Sequence, residues 1–334
     1  MSMVSIGDLS QHYVSQRNGG RIKGDLARLG AELSTGRVAD LNRSLAGNTK
    51  ELSGIQHTLA VAQAHSATTN QVSLTLASMQ RVLGEAGSLT SDLASALVVV
   101  SATSPTHQIS EASRRSFDEF SDLVSTFNST WAGKSLFAGT AVDQTALPPA
   151  DAMLSDIVAT IPDPSDPSSV ISAVTAWFED PAGGFMSTAY GGNLTAQETR
   201  IGRDEIVNLD VTAADPAVLK ALSSTALGAV VNQLETTLSR AAQGEILRES
   251  GVQLISSSQG IASLQARLGH QEERVESVKT SLSSMQSALG IALNDMTLAD
   301  PFETATKLEA TQRQLELHFT ATARLSRLTL ADYI

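Results

Sequence analysis

Cysteine is absent from all 334 residues, which removes disulfides, thiolate metal sites and cysteine nucleophiles together. Aromatic residues are scarce at 4%. Alanine, leucine and serine are abundant instead, a composition that favours helix packed on helix over a large globular core. Basic residues are also few: 23 Lys and Arg stand against 35 Asp and Glu, for a net charge of −12. The acidic excess leaves no basic surplus to neutralise a phosphate backbone, so no nucleic acid is expected as a partner. The acidic residues occur in short runs and read as solvated helix faces. The longest uncharged apolar run, residues 93–102, is too short to span a bilayer, so no membrane insertion is expected. Residues 1–16 lack a basic region followed by an apolar one, so no cleavable signal peptide is expected. A cytoplasmic protein and one exported by a route that ignores signal peptides look alike on this ground.

Catalytic patterns are equally thin. Gly133-Lys134-Ser135 resembles the end of a phosphate-binding loop, but the glycine that pattern needs at position 128 is Asn128. His57 and His65 share a helix but stand about 12 Å apart at 1.5 Å per residue, too far for one metal. His270 and His318 lie among polar helix residues and read as surface. Asp118-Glu119 and Glu272-Glu273 are adjacent pairs, which point to different sides of a helix. No serine sits in a Gly-x-Ser-x-Gly elbow. The sequons at Asn128 and Asn193 read as accidental. No enzyme, no cofactor and no metal are expected.

What the sequence does contain is helical periodicity. From 264 to 296, apolar residues recur at alternating spacings of four and three: Leu264, Leu268, Gln271, Val275, Val278, Leu282, Met285, Leu289, Ala292 and Met296. That is a coiled-coil seam with one polar position, Gln271. A second long stripe, Leu52, Ile55, Leu59 and Ala62, weakens at Ser66 and Thr69 and resumes at Val72, Leu76, Met79, Leu83, Ala86, Leu93 and Leu97. Taken as helix over 52–100, it spans about 70 Å at 1.5 Å per residue, enough to lie beside a helix over 252–298. Ile22, Leu26, Leu29 and Leu33 form an earlier stripe that stops at Gly36, a helix C′ glycine. Residues 1–19 carry no sustained period and are expected to order only conditionally. Ser113, Phe117, Phe120, Val124, Phe127 and Trp131 make a helix carrying the heaviest side chains of the core. A final helix carries Ala305, Leu308, Gln312, Leu315, Phe319 and Thr322 after the turn at Asp300-Pro301, and the chain ends with Leu325, Leu328 and Leu330 close to its terminus.

The middle differs. Six of the nine prolines fall between Pro148 and Pro181, with glycines close behind. Short helices are expected near 150–160 and 168–178 and a β segment at 200–211. Pro216, with Asp215 as N-cap, starts a helix that is expected to run to Gln243 and break at Gly244. The expected fold class is mainly α: a long antiparallel helical bundle or coiled coil built from N- and C-terminal segments, with a smaller inserted α+β module. The divisions are a terminal helix segment at 1–40, half of the core at 41–140, the module at 141–213, the other half at 214–299, and a second terminal segment at 300–334.

Three stretches together resemble the bacterial flagellin family. The first is Leu33-Ser34-Thr35-Gly36-Arg37-Val38, similar to the family's turn after its first terminal helix. The second runs from Asn128 through Gly133 to Leu136-Phe137-Ala138-Gly139-Thr140, similar to the boundary between helical core and variable module. The third is Leu325-Ser326-Arg327-Leu328-Thr329-Leu330-Ala331-Asp332-Tyr333-Ile334, an ending closer to the hook-associated members at the hook–filament junction than to filament flagellins. Departures exist: residues 39–47 hold one acid, Asp40, and no proline where the family carries an acidic, proline-containing segment.

The resemblance implies a secreted structural protein of the flagellum, exported through the flagellar type III apparatus. Its implied partners are another hook-associated junction protein, flagellin, a secretion chaperone, and further copies of itself in a ring. The residues expected to serve core packing and assembly are Leu264, Leu268, Val275, Val278, Leu282, Met285, Leu289, Leu315, Phe319, Leu325, Leu328 and Leu330. A filament flagellin is the alternative, and a cytoplasmic coiled-coil scaffold is a second. An enzyme housed in 141–213 has no convergent polar set to support it.

Overall fold

The computed structural model describes residues 6–45, 47 and 49–331, with the backbone path alone at 6–9, 11, 12 and 325–331. The chain divides into two compact units, one made of residues 1–63 and 284–334, the other of residues 64–283. Two long helices, α3 (Lys50–Leu97) and α8 (Arg240–Thr297), contribute to both.

The central unit, 64–283, holds the main core. Its largest fully buried side chains include Leu76, Met79, Leu83, Phe120, Phe127, Phe137, Phe178 and Phe185. Within it α3 and α8 run antiparallel. As the α3 position rises through Gly84, Gly87 and Leu97, the α8 neighbour falls through Gln265, Ile261 and Gly251. The glycines allow this closeness: a β-carbon on Gly251 would stand 2.7 Å from the Val98 nitrogen. Gln80 secures the pairing by donating from Nε2 to the Gln265 carbonyl at 2.8 Å. The weak point of the α3 stripe is explained at Thr69, which is fully buried. Its hydroxyl donates to His65 O at 2.7 Å and to Ile201 O at 3.2 Å, so the polar residue reaches another part of the fold without an unmet hydrogen bond.

Helix α4 (Thr106–Phe127) buries Phe120 and Phe127, and ends before Trp131, which lies instead in a small hairpin. That hairpin pairs β1 (Thr130–Trp131) with β2 (Lys134–Ser135) through Ala132-Gly133, both at positive φ (51° and 77°). Two such residues in a two-residue loop suit the twist of the flanking strands, and this accounts for the glycine-lysine-serine run without any phosphate site.

Helix α7 (Pro216–Gln233) is buried continuously from Ala221 to Val231. A helix buried on every side belongs in a core, and α7 packs against α4 and against the short helices α5 (Ala150–Ala159) and α6 (Pro167–Glu179). Asp215 caps it, accepting from the Ala217 nitrogen at 3.2 Å. At Gly228 the packing leaves no room for a β-carbon, which would stand 2.6 Å from Ser116 Oγ and 3.1 Å from Ser250 Oγ. Ser250 in turn donates to the Ser224 carbonyl at 2.7 Å, joining α8 to α7 by a buried interhelical hydrogen bond.

Here one expectation is corrected. The helix from Pro216 ends at Gln233, not at Gln243, and α8 passes straight through Gly244. Gly244 is a close-approach residue: its absent side chain leaves space for the Ser101 carbonyl, 2.4 Å from where a β-carbon would stand. Glycine in a helix thus marks close packing here, not termination.

The stretch 141–213 lies in the same compact unit as the helices around it. It supplies α5, α6, a single π-turn at Phe185–Ala189, and a hairpin of β3 (Gln197–Arg200) with β4 (Ile206–Leu209), in which Gln197 faces Leu209 and Arg200 faces Ile206. The hairpin is tied to α8 by Arg274, which pairs with Glu205 at 3.2 Å and donates to Ile206 O at 3.2 Å. Arg267 similarly reaches Asp210 at 2.9 Å and Asp215 at 3.1 Å.

The terminal unit contains α1 (Ile6–Thr35), the one-turn α2 (Leu41–Ser44), the start of α3, the end of α8, and α9 (Pro301–Ala331). Residues 6–19, which lack a sustained apolar period, continue α1 without a break. Packing against α9 supplies what the pattern does not: His318 sits against Gly19 and Ser15. Asp300 caps α9, accepting from the Phe302 nitrogen at 2.8 Å and the Glu303 nitrogen at 3.0 Å, with Pro301 as its first residue. The mainly α architecture with two small antiparallel sheets matches the class expected from the sequence. Among the described residues no helix is long and apolar enough to cross a membrane.

Candidate assembly surface

The terminal unit is built on few buried apolar groups. Among the described residues, its buried hydrophobic side chains are Ile22, Leu29, Leu52 and Ala62. Between 284 and 324 the buried side chains are Thr297 and Thr304, and neither is apolar. Large apolar side chains face solvent instead: Phe302 is 83% exposed, Leu317 70%, Tyr13 67% and Ile291 64%. At about 25 cal/mol per Å² of apolar area removed from water, such a unit gains little from its own packing and keeps much to gain from a partner.

Helices α1 and α9 run antiparallel. Ser15 and Gly19 meet His318, and further along the pair Arg37 bridges to Leu298. The bridge is a polar clasp between two turns. Val38 N donates to Thr297 O at 2.9 Å, and Ala299 N donates to Gly36 O at 3.0 Å. Gly36 stands at φ 67°, the left-handed conformation expected of a C′ glycine. Glu32, only 5% exposed, holds the same turn from the α1 side. One oxygen of Glu32 accepts from Arg28 at 3.0 Å and from the Ala39 nitrogen at 3.1 Å. The turn resembling that of flagellins is therefore a hydrogen-bonded clasp, and its departures in sequence leave Asp40 in place to cap α2.

His318 is not a surface residue. It is half-buried, with Nε2 at 3.1 Å from the Ser15 carbonyl and Nδ1 buried without a partner. Phe319 beside it is 53% exposed and lies under the Lys23 ammonium, 5.6 Å from the ring centre.

The residues of the α8 seam divide between the two units. In the central unit Leu264, Leu268, Val275 and Leu282 are buried, and Val278 is half-buried. In the terminal unit Met285 is 45% exposed and Leu289 half-buried, while Gln286 Nε2 donates to the Ala62 carbonyl at 3.0 Å. Met285 and Phe319 are thus not core positions within the chain. Leu315 is half-buried on α9. The side chains of Leu325, Leu328 and Leu330 lie outside the described residues, as do residues 332–334 of the closing motif.

The boundary motif at 128–140 forms a clamp. Asn128 terminates α4, and its side-chain amide exchanges two hydrogen bonds with Leu147: Nδ2 to the carbonyl at 2.9 Å, and the Leu147 nitrogen to Oδ1 at 2.8 Å. Phe137 packs edge-on against Phe127, with ring centres 5.3 Å apart. Asn193 accepts from the Thr140 nitrogen at 3.0 Å, so the second sequon asparagine also has a structural use. Tyr190 donates to Asn193 O at 2.9 Å, and burial pushes its phenol above the usual range. Sequence alone places Asn128 at the start of the boundary motif without showing what its side chain does, and shows Asn193 only as an accidental sequon. The signal for their use is that each asparagine stands beside a turn whose backbone groups need partners.

Among the described residues, no group of three or more His, Asp or Glu could hold a metal ion. The terminal unit, with its exposed apolar side chains, is suited to packing against other helices.

Comparison with known proteins bears on the same region. Residues 252–334 match the bacterial flagellin C-terminal helical region. No curated protein matches the sequence. Among solved structures, a putative flagellar hook-associated protein from Vibrio parahaemolyticus is similar at a TM-score of 0.50 and 11% identity, covering 74% of this chain and 96% of that one. FlgL from Bacillus cereus is similar at a TM-score of 0.46 and 14% identity, covering 72% of this chain and 99% of that one. The protein is therefore flagellin-like, with a C-terminal helical region that matches the flagellin family and a fold shared with the putative hook-associated protein.

Proposed function

We propose that the chain is a structural adaptor of the bacterial flagellum, a counterpart of hook-associated protein 3, that joins the hook-associated proteins to the flagellin filament. The observation that carries this reading is the C-terminal helical region: residues 252–334 match that of flagellins, and within it Phe302, Leu317 and Phe319 are largely uncovered. Those side chains, with Met285, Leu289 and Leu315, are the surface that neighbouring subunits cover, and Leu325, Leu328 and Leu330 take part in the same assembly. Leu264, Leu268, Val275, Val278 and Leu282 hold the seam to which that surface is attached. The partners are a second junction protein on one side, flagellin on the other, copies of the same chain in a ring, and a secretion chaperone before export through the type III apparatus. The chain does its work by contact alone and catalyses nothing.

Purified protein tests this against the filament-subunit reading. A junction protein stays monomeric or forms small rings at concentrations where flagellin polymerises. Long filaments from the protein alone point to a flagellin, and a pool that never leaves the cytoplasm points to a scaffold.

A further inference from the structure

We propose that the cleft between α3 and the two hairpins of the central unit binds a pyranose sugar ring. The cleft has a volume of about 130 Å³. Pockets for drug-sized ligands start at about 300 Å³, so this one takes a single ring and not an extended chain. Its walls carry the chemistry that sugars need. Ser135 is 7% exposed, and its hydroxyl oxygen is buried with no hydrogen-bond partner. A buried hydroxyl left in that state costs about 1–3 kcal/mol unless something meets it. Gln71, Gln197 and Thr199 also line the cleft, and none makes a side-chain hydrogen bond among the described residues. Amides and hydroxyls both donate and accept, as sugar hydroxyls do.

Trp131 lies half-exposed at the same cleft, a flat apolar platform for the C–H face of a pyranose. Its position follows from the turn at Ala132-Gly133, which places Trp131 opposite Lys134 and Thr130 opposite Ser135. Among the described residues no carboxylate lines the cleft, although acids outnumber bases in the chain, and the Lys134 ammonium does line it. Those walls favour a neutral ligand over a cationic one. An acidic sugar is tolerated beside the Lys134 ammonium.

The chain contains two tryptophans, and the other, Trp177, is 4% exposed. The Trp177→Phe variant of the full chain therefore reports Trp131 fluorescence alone. Methyl glucoside, N-acetylglucosamine and glucuronate are titrated into it, with N-acetylalanine methylamide as a peptide-like probe. A saturable change is expected with at least one sugar, with a Kd of about 1 mM for so few contacts. Adding Ser135→Ala is expected to weaken that binding about tenfold, roughly the effect of one lost hydrogen bond, with no loss of melting temperature. Three results overturn the proposal: no saturable change with any of the sugars, a response to the peptide probe alone, or unaltered affinity in the Ser135→Ala variant.

Discussion

The Asn193 carbonyl oxygen lies 2.2 Å from where a β-carbon on Gly139 would stand, and Gly139 itself is at φ 65°. The turn at the end of the boundary motif is thus specified twice, by backbone conformation and by space. Gly139→Ala is expected to destabilise the central unit by about 2–4 kcal/mol, combining the left-handed penalty with overpacking against backbone. Urea denaturation followed by far-UV circular dichroism measures it. A loss under about 0.5 kcal/mol, the size of an ordinary surface substitution, means that the turn relaxes freely.

Gln271 is the polar position of the α8 seam, and its Oε1 is buried without a partner. Gln271→Leu is expected to raise stability by about 1 kcal/mol, because it removes an unmet acceptor and extends the apolar packing of the seam. It is also expected to loosen the pairing register, a role polar seam residues perform elsewhere. A lower melting temperature for the variant contradicts this.

Burial raises the pKa of Glu119, with Arg115 opposing and the charges of Asp122 and Asp92 adding to the rise. A carboxyl raised on folding favours the folded state while protonated and loses that contribution as pH climbs through its folded pKa. Glu119→Gln is therefore expected to melt above the parent protein at about pH 7.5, with the difference shrinking toward pH 4. The buried Oε2, which has no hydrogen-bond partner, points the same way. A variant that loses stability at neutral pH means that the Arg115 pair, at 3.6 Å, outweighs the burial cost.

Much of the helical frame was legible from spacing alone. The stripes of Leu76–Leu83 and Leu264–Leu268 lie on helices that pair antiparallel through Gln80 and Gln265. Asp215 caps where its position before Pro216 places it, and Asp300, which the sequence marks only as a turn, caps α9. The misses have a common physical cause: small residues are ambiguous. Gly244 reads as a breaker but is a point of close packing, because a missing side chain serves both ends. The buried character of α7 is hidden in an alanine- and serine-rich run with no single apolar face. His318 reads as surface because its cover comes from Ser15 and Gly19, hundreds of residues away along the chain. Of the candidate surface, the stripes were legible, but which positions stay uncovered was not. Met285 and Phe319 fit the same pattern as buried Leu282 and Val275.

The thin packing of the terminal unit carries a dynamic consequence. Amides of α9 beyond Ala305, and of α1 before Gly20, are expected to exchange with solvent much faster in the monomer than those of α3 from Leu76 to Leu97. The reason is that local opening exposes little apolar surface there. Hydrogen exchange with mass spectrometry resolves the segments. Equal protection in all three means that the terminal helices are stable without neighbours, and conditional ordering is then abandoned.

The proposed role at the hook–filament junction is tested most directly by electron microscopy of cells lacking this protein, with the culture medium assayed for flagellin. The expected result is hooks without attached filaments and flagellin released into the medium. Filaments of normal length on those cells contradict the account.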